Sequence, residues 1–254
     1  MQRSFSKIPP FSQQKHRRRL HRMQAISKPV PPFSPVPPFP PESLSRLLRQ
    51  WCIAPGSPPP AAARLGAWFG WADAIEIAQV LTTTPGKAAS EVARIESMHW
   101  ASTELQRLQA ELASSFLHTE LAGKSNSISD GATLKDLLVP YLQHFGQQQR
   151  VIESRTSTFR ALLRARLTRA SDELARLAKL DEYIERAMAA PQLRAMAGVS
   201  ALLEARAQKH YAADPRQWRA RLCSDLQRLL RAELDHKLQA VLGLIEALST
   251  HNPP

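Results

Sequence analysis

The chain has 254 residues, of which 43% are hydrophobic and only 6% aromatic. A core with so few aromatic side chains favours helices packed on helices over a strand-rich sandwich. No run approaches the length of about 18 apolar residues that a transmembrane helix needs, and no apolar stretch follows the positive N-terminus as it would in a secretion signal. The two cysteines, Cys52 and Cys223, are too few for a disulfide framework and fit a reducing compartment. The composition therefore predicts a soluble, cytoplasmic, helical protein.

Charge and proline are concentrated at the N-terminus. The formal net charge is +12, and residues 1–28 hold eight basic and no acidic side chains, which leaves a net charge of +4 for residues 29–254. Fourteen of the twenty prolines precede residue 61. These features predict a disordered, basic, Pro-rich leader over residues 1–41, able to hold phosphates or anionic surfaces without reading sequence. The alternative is that translation starts at Met23, so that residues 1–22 are absent from the native protein.

Two apolar segments follow the leader. Residues 43–54 predict a short amphipathic helix with Leu44, Leu47, Leu48 and Trp51 on one side. Residues 61–81 contain LGAWFGWADAI, in which Trp68, Phe69 and Trp71 fall within four residues. Such bulky side chains need partners to bury them, so this segment is predicted to be the core where the helices converge.

Long helical patterns fill the rest of the chain. Within residues 87–122 the apolar side chains recur at helical spacing and form one stripe from Val92 and Ile95 to Phe116, which predicts a long helix. The segment GKSNSISDG at 123–131 predicts a turn. From 141 to 190 a heptad-like seam predicts an antiparallel coiled-coil hairpin or a long bundle helix. The seam consists of Leu163, Leu167, Ala170, Leu174, Leu177, Asp181, Ile184 and Met188. Residues 215–249 add a stripe from Trp218 to Leu248. The prediction is an all-α, elongated helical bundle with long antiparallel helices over residues 42–249 and a tail over 250–254.

The seam region is also rich in arginine. Its candidate contacts for nucleic acid or an acidic partner helix are Arg155, Arg160, Arg164, Arg166, Arg169 and Arg176. Guanidinium groups spaced along a rigid helix can bridge phosphates or meet carboxylates. The alternative is a solvated flank of the coiled coil.

Few other residues match a metal-binding or catalytic motif. Two copies of E-x-x-H, Glu96 to His99 and Glu233 to His236, have the spacing of di-metal helical bundles, so a metalloenzyme remains a remote alternative. The further glutamates that such a centre needs cannot be nominated. No phosphate loop, dinucleotide motif or nucleophile elbow occurs. The expectation is therefore a non-enzymatic protein without catalytic residues, metal site or cofactor.

Three blocks resemble one bacterial family of helical proteins of unknown function. They are LGAWFGWADAI at 65–75, YLQHFGQQQRVIESR at 141–155 with the heptads after it, and LLRAELDHKLQAVLGLIEAL at 229–248. The family is similar to accessory components of Zorya-type anti-phage defence systems, which contain MotA-like and OmpA-like motor proteins. The resemblance implies an adaptor or effector that assembles with the motor or with a second accessory protein. Binding to DNA and a homo-oligomer closed by the heptad seam are also open, and the alternative function is a general DNA-binding protein that uses the leader and the arginine-rich helix.

Overall fold

The computed structural model describes residues 43–51, 71–82, 91–116 and 133–250. These residues form seven α-helices and no strand, so the prediction of an all-α fold is confirmed for them. The helices are α1 (Leu44–Trp51), α2 (Trp71–Thr82), α3 (Glu91–Ser115), α4 (Leu134–Ala170), α5 (Asp172–Met196), α6 (Val199–Ala213) and α7 (Trp218–Thr250). None of these helices is long and apolar enough to cross a membrane. The predicted leader and most of the predicted tail lie outside the described residues.

A single residue, Ser171, separates the two helices of the hairpin α4–α5. Its backbone is extended, with φ −161° and ψ 163°, so α4 ends there and the chain reverses. Its hydroxyl accepts a hydrogen bond from the backbone N–H of Leu174 at 3.2 Å, which caps α5, and Asp172 and Glu173 follow in the first turn. An N-cap oxygen and first-turn carboxylates both stabilise a helix start. The predicted seam of residues 141–190 therefore belongs to two antiparallel helices.

The core lies around α4 and α7. Helix α4 packs against α3, α5, α6 and α7, and α7 packs also against α1, α3, α5 and α6. The α7 stripe predicted from the sequence is buried throughout, from Trp218 at 1% exposure to Leu248 at 0%. The prediction for α1 is confirmed as well, because Leu47 and Trp51 are buried and Leu44 and Leu48 pack against the same core.

Several boundaries differ from the sequence expectation. Pro140 and Pro191 lie inside helices α4 and α5 and do not separate elements. Pro140 costs one backbone hydrogen bond, but α4 continues through it because Leu138 before it and Tyr141 and Phe145 after it are buried in the core. Helix α6 was not predicted.

The outer ends of two predicted stripes are exposed. Val92 and Ile95 at the start of α3 are 67% and 43% exposed, and Ile184 on the predicted seam is 36% exposed. The α3 stripe is buried only from Ala101 onward, through Leu105 to Phe116. Of the predicted convergence core, Trp68 and Phe69 lie outside the described residues, and Trp71 begins α2 with its side chain outside the description.

Candidate partner-binding surface

Arg160 and Arg164 of α4 bind two carboxylates of α5. Arg160 is bidentate on Asp181, with Nη2 2.6 Å from Oδ1 and Nε 2.8 Å from Oδ2. Arg164 Nη1 lies 3.0 Å from Asp181 Oδ2 and 2.7 Å from Glu185 Oε2. Asp181, the one charge on the predicted seam, thus lies between two arginines, and its side chain is 11% exposed. We call these four residues the hairpin ion cluster.

The hairpin ion cluster fixes the pairing of α4 with α5. Burial by itself lowers the pKa of Arg164, but the hydrogen bonds and charges of Glu185 and Asp181 outweigh burial and raise that pKa above its usual value. Removing one partner of a buried ion pair leaves an uncompensated charge and costs about 3–5 kcal/mol. These two arginines therefore have a structural role in the described hairpin.

Two further predicted arginines connect α4 and α5 to other helices. Arg155 is exposed and pairs with Glu111 of α3. Arg176 of α5 donates from Nε to the carbonyl oxygen of Val80 at 3.2 Å and from Nη2 to that of Leu81. Both carbonyls lie in the last turn of α2, where a helix leaves its carbonyls unpaired and favours positive charge. Arg176 thus caps α2 and attaches it to α5.

The last two predicted arginines have different surroundings. Arg166 lies with its guanidinium carbon 4.0 Å from the ring centroid of Trp100 on α3, a cation–π contact. Arg169 is exposed, and the described part of the chain shows no side-chain hydrogen bond, ion pair or ring contact for it. Of the six arginines proposed from the sequence, Arg169 is thus the one that keeps its charge free for an outside contact.

One side of the C-terminal half of α4 is exposed. Val151 and Leu162 are 42% and 52% exposed and lie eleven residues apart, which is about three helical turns and returns to the same side. We define the α4 outer face as the exposed residues on this side: Val151, Arg155, Thr158, Leu162, Ala165 and Arg169. Helix α4 contributes no carboxylate to this face. The exposed Glu153 lies on another side of α4, where Lys237 of α7 binds it at 2.5 Å, and the exposed Asp136 lies in the first turn of the helix.

A second buried ion cluster joins α6 to α7. Asp225, 5% exposed, accepts from Arg206 Nη2 at 2.7 Å and contacts His210 Nε2 at 2.8 Å. The guanidinium of Arg206 also lies 4.8 Å from the ring centroid of Trp51, so α1 closes over this cluster. Sequence reasoning missed it. The available signal was an aspartate on the apolar side of α7, directly before Leu226.

A third buried carboxylate, Glu233, belongs to one of the two E-x-x-H pairs. Burial raises its pKa, while the hydrogen bond from Gln149 Nε2 at 3.1 Å and the charge of Lys237 lower it in part; the nearby Glu153 raises it further. His236 is exposed, as are Glu96 and His99. The described residues contain no group of three or more His, Cys, Asp or Glu side chains placed to share a metal ion, so they do not bring the two pairs together.

The model of a family described as a protein of unknown function (DUF3348) matches residues 37–250, which include all three sequence blocks quoted above. No curated protein and no solved structure matches the chain. The family match starts after the basic N-terminal segment and includes every residue that the structure describes.

Proposed function

We propose that this chain, which belongs to the DUF3348 family, is a non-enzymatic helical adaptor that binds another protein through the α4 outer face. The observation that carries the proposal is the exposure of Val151 and Leu162 beside Arg169 on a helix whose opposite side is buried in the core. Apolar side chains flanked by an unpaired positive charge are suited to helix-in-groove or helix-on-helix recognition.

The charge of the face specifies the partner. Arg155 and Arg169 lie on it and α4 supplies no opposing carboxylate, so the complementary surface is an amphipathic helix with acidic residues beside its apolar stripe. Arg155 holds Glu111 at the edge of the face, in a contact between two half-exposed side chains. Such a surface pair contributes little stability, so a partner carboxylate can replace Glu111.

The biological setting of the proposal is anti-phage defence. It rests on the resemblance of three sequence blocks to a helical family that is similar to accessory components of Zorya-type systems, whose companions are MotA-like and OmpA-like motor proteins. In this setting the adaptor acts from the cytoplasm, and its partner is the cytoplasmic part of the motor or a second accessory protein of the same gene set.

The experiment uses two leucines that are both exposed but lie on different surfaces. The full chain, Leu162→Glu and Leu193→Glu are each co-expressed with the proteins encoded beside it, and the amount of each co-purified partner is measured. Leu193 is 76% exposed on α5, so it controls for placing a charge on an exposed apolar site. We expect Leu162→Glu to reduce capture at least tenfold and Leu193→Glu to leave it unchanged, with equal helicity by circular dichroism.

Three results would contradict the proposal. Equal capture by the wild type and Leu162→Glu would exclude the α4 outer face, and equal loss in both variants would show a general effect of charge. Light scattering tests whether a second copy of the chain, and not another protein, covers the α4 outer face. If Leu162→Glu converts a dimer to a monomer and captures partners normally, the face binds a second copy of the chain.

A further inference from the structure

Several basic side chains lie in the turn between α6 and α7 and in the helix ends beside it. The described residues place no carboxylate against them. Helix α6 ends at Ala213 and α7 begins at Trp218, and the backbone N–H of Trp218 donates to the carbonyl of Asp214 at 3.1 Å across the turn. We define the α6–α7 corner as Lys209, Tyr211, Arg216, Arg219 and Arg221. No ion pair within the described part of the chain involves any of its four basic residues.

The charge around the corner is strongly unbalanced. Residues 206–228 hold six basic and two acidic side chains, whereas the rest of residues 29–254 hold twenty of each. Both acids are occupied locally. Asp225 is buried between Arg206 and His210, and Asp214 Oδ1 accepts the backbone N–H of Arg216 at 2.9 Å. The positive charge of the corner is therefore not neutralised by its own segment.

One buried ring organises the corner. Trp218 is 1% exposed, and Tyr211 meets it edge-on with 6.1 Å between ring centroids. The guanidinium carbon of Arg219 lies 5.0 Å from the centroid of the same ring. Tyr211 and Arg219 are thus held in place by Trp218, while Tyr211 remains 42% exposed. An exposed ring that shares Trp218 with an arginine can stack on a base while arginines of the same corner contact the phosphates.

We infer that the α6–α7 corner binds single-stranded nucleic acid, with Arg216, Arg219 and Arg221 on the phosphates and Tyr211 stacked on a base. The chemistry favours a nucleic acid over a membrane because Tyr211 is the one large apolar side chain exposed within residues 199–228. A helix that lies on a membrane needs a broad apolar face to insert, and this corner has none in the described residues. The inference does not depend on the α4 outer face.

The test measures anisotropy of a labelled thymidine 20-mer with the full chain at two salt concentrations. R216Q/R219Q/R221Q removes three charges from the corner. The matched control R150Q/K179Q/R194Q removes three charges from exposed positions on α4 and α5 that also lack an ion pair in the described residues. Because the basic leader is present in both proteins, it contributes equally to both. We expect at least tenfold weaker binding for the corner variant, a salt slope lower by about 2, and less than twofold weakening for the control.

A second variant tests stacking separately from charge. Tyr211→Leu keeps the charge and should weaken binding to the single strand about fivefold or more, while binding to a matching duplex changes little. Equal weakening by the two triple variants would overturn the inference, and so would a Tyr211→Leu protein that binds the single strand normally. A corner variant that loses binding to phosphatidylglycerol vesicles but keeps the oligonucleotide would assign the corner to a membrane surface.

Discussion

The arginine-rich stretch of α4 and α5 and the α6–α7 corner are similar in sequence but differ in the structure. Residues 150–176 hold seven basic and three acidic side chains, and residues 206–228 hold six and two. In the first stretch, carboxylates, carbonyls and a ring from other helices take up most of the guanidinium groups. In the second, Arg216, Arg219 and Arg221 have no carboxylate partner in the described residues, and Arg219 contacts only the ring of Trp218 among the partners that the structure gives it. The number of arginines in a segment therefore does not show whether that segment forms a binding surface. This depends on whether the fold places carboxylates, carbonyl oxygens or aromatic rings against the arginines.

The largest effect should come from Asp181, which two arginines surround. Asp181→Ala leaves Arg160 and Arg164 partly buried with only Glu185 to oppose them, and we expect a loss of about 3 kcal/mol in the free energy of unfolding. Urea denaturation followed by circular dichroism measures it. The neighbouring Glu182→Ala is the control, since Glu182 is 56% exposed and pairs only loosely with Arg186 at 3.5 Å; it should cost less than about 0.5 kcal/mol. Equal costs would show that the hairpin ion cluster does not hold the hairpin.

The position of the hairpin ion cluster explains which features of the fold can be predicted from the sequence and which cannot. The heptad pattern identifies Asp181 as a charge on an apolar seam, but its partners lie 17 and 21 residues earlier in the chain. They meet it only because the chain reverses at Ser171, and the residues facing each other in a hairpin depend on where the reversal falls. Fold class and the apolar stripe of α7 need only local periodicity, so both could be predicted.

The reversal at Ser171 gives the second prediction. Ser171→Ala removes the oxygen that caps α5, and the expected cost is about 1 kcal/mol by urea denaturation. Ser224→Ala is the control, because Ser224 is exposed within α7, where alanine is the better helix former. A Ser171→Ala protein as stable as wild type would mean that packing alone sets the break. The signal S-D-E at 171–173 is present in the sequence, but without a glycine or proline it does not decide between the hairpin and the single long helix that the heptad pattern leaves open.

The buried carboxylate of Glu233 should make a smaller contribution that depends on pH. Burial raises its pKa in the folded protein, so between the unfolded and folded pKa values the folded state holds a proton that the unfolded state has lost. That contribution favours folding at low pH and is lost as the pH rises through the folded pKa. Glu233→Gln removes the titration, so the stability of the variant relative to wild type should increase from pH 5 to pH 8. Urea titrations at both pH values measure this difference. Gln149, Lys237 and Glu153 surround the site in both proteins. If the stability of Glu233→Gln relative to wild type stayed constant or fell between pH 5 and pH 8, the raised pKa of Glu233 would be contradicted.

The smallest expected effect separates the two arginine groups most directly. R216Q/R219Q/R221Q should change the free energy of unfolding by less than about 0.5 kcal/mol, because these charges have no ion pair in the described residues and surface substitutions away from such contacts are nearly neutral. The pair R160Q/R164Q should instead destabilise the chain by about 3 kcal/mol, since it leaves Asp181 buried without its counter-charges. Both proteins are compared by urea denaturation at the same pH and salt concentration. If the corner variant proved as unstable as the α4 pair, its arginines would be structural, and weakened nucleic-acid binding in that variant would reflect loss of the fold. A stable corner variant that loses binding would show that arginines left unpaired by the fold serve recognition, while those paired across the hairpin serve the fold.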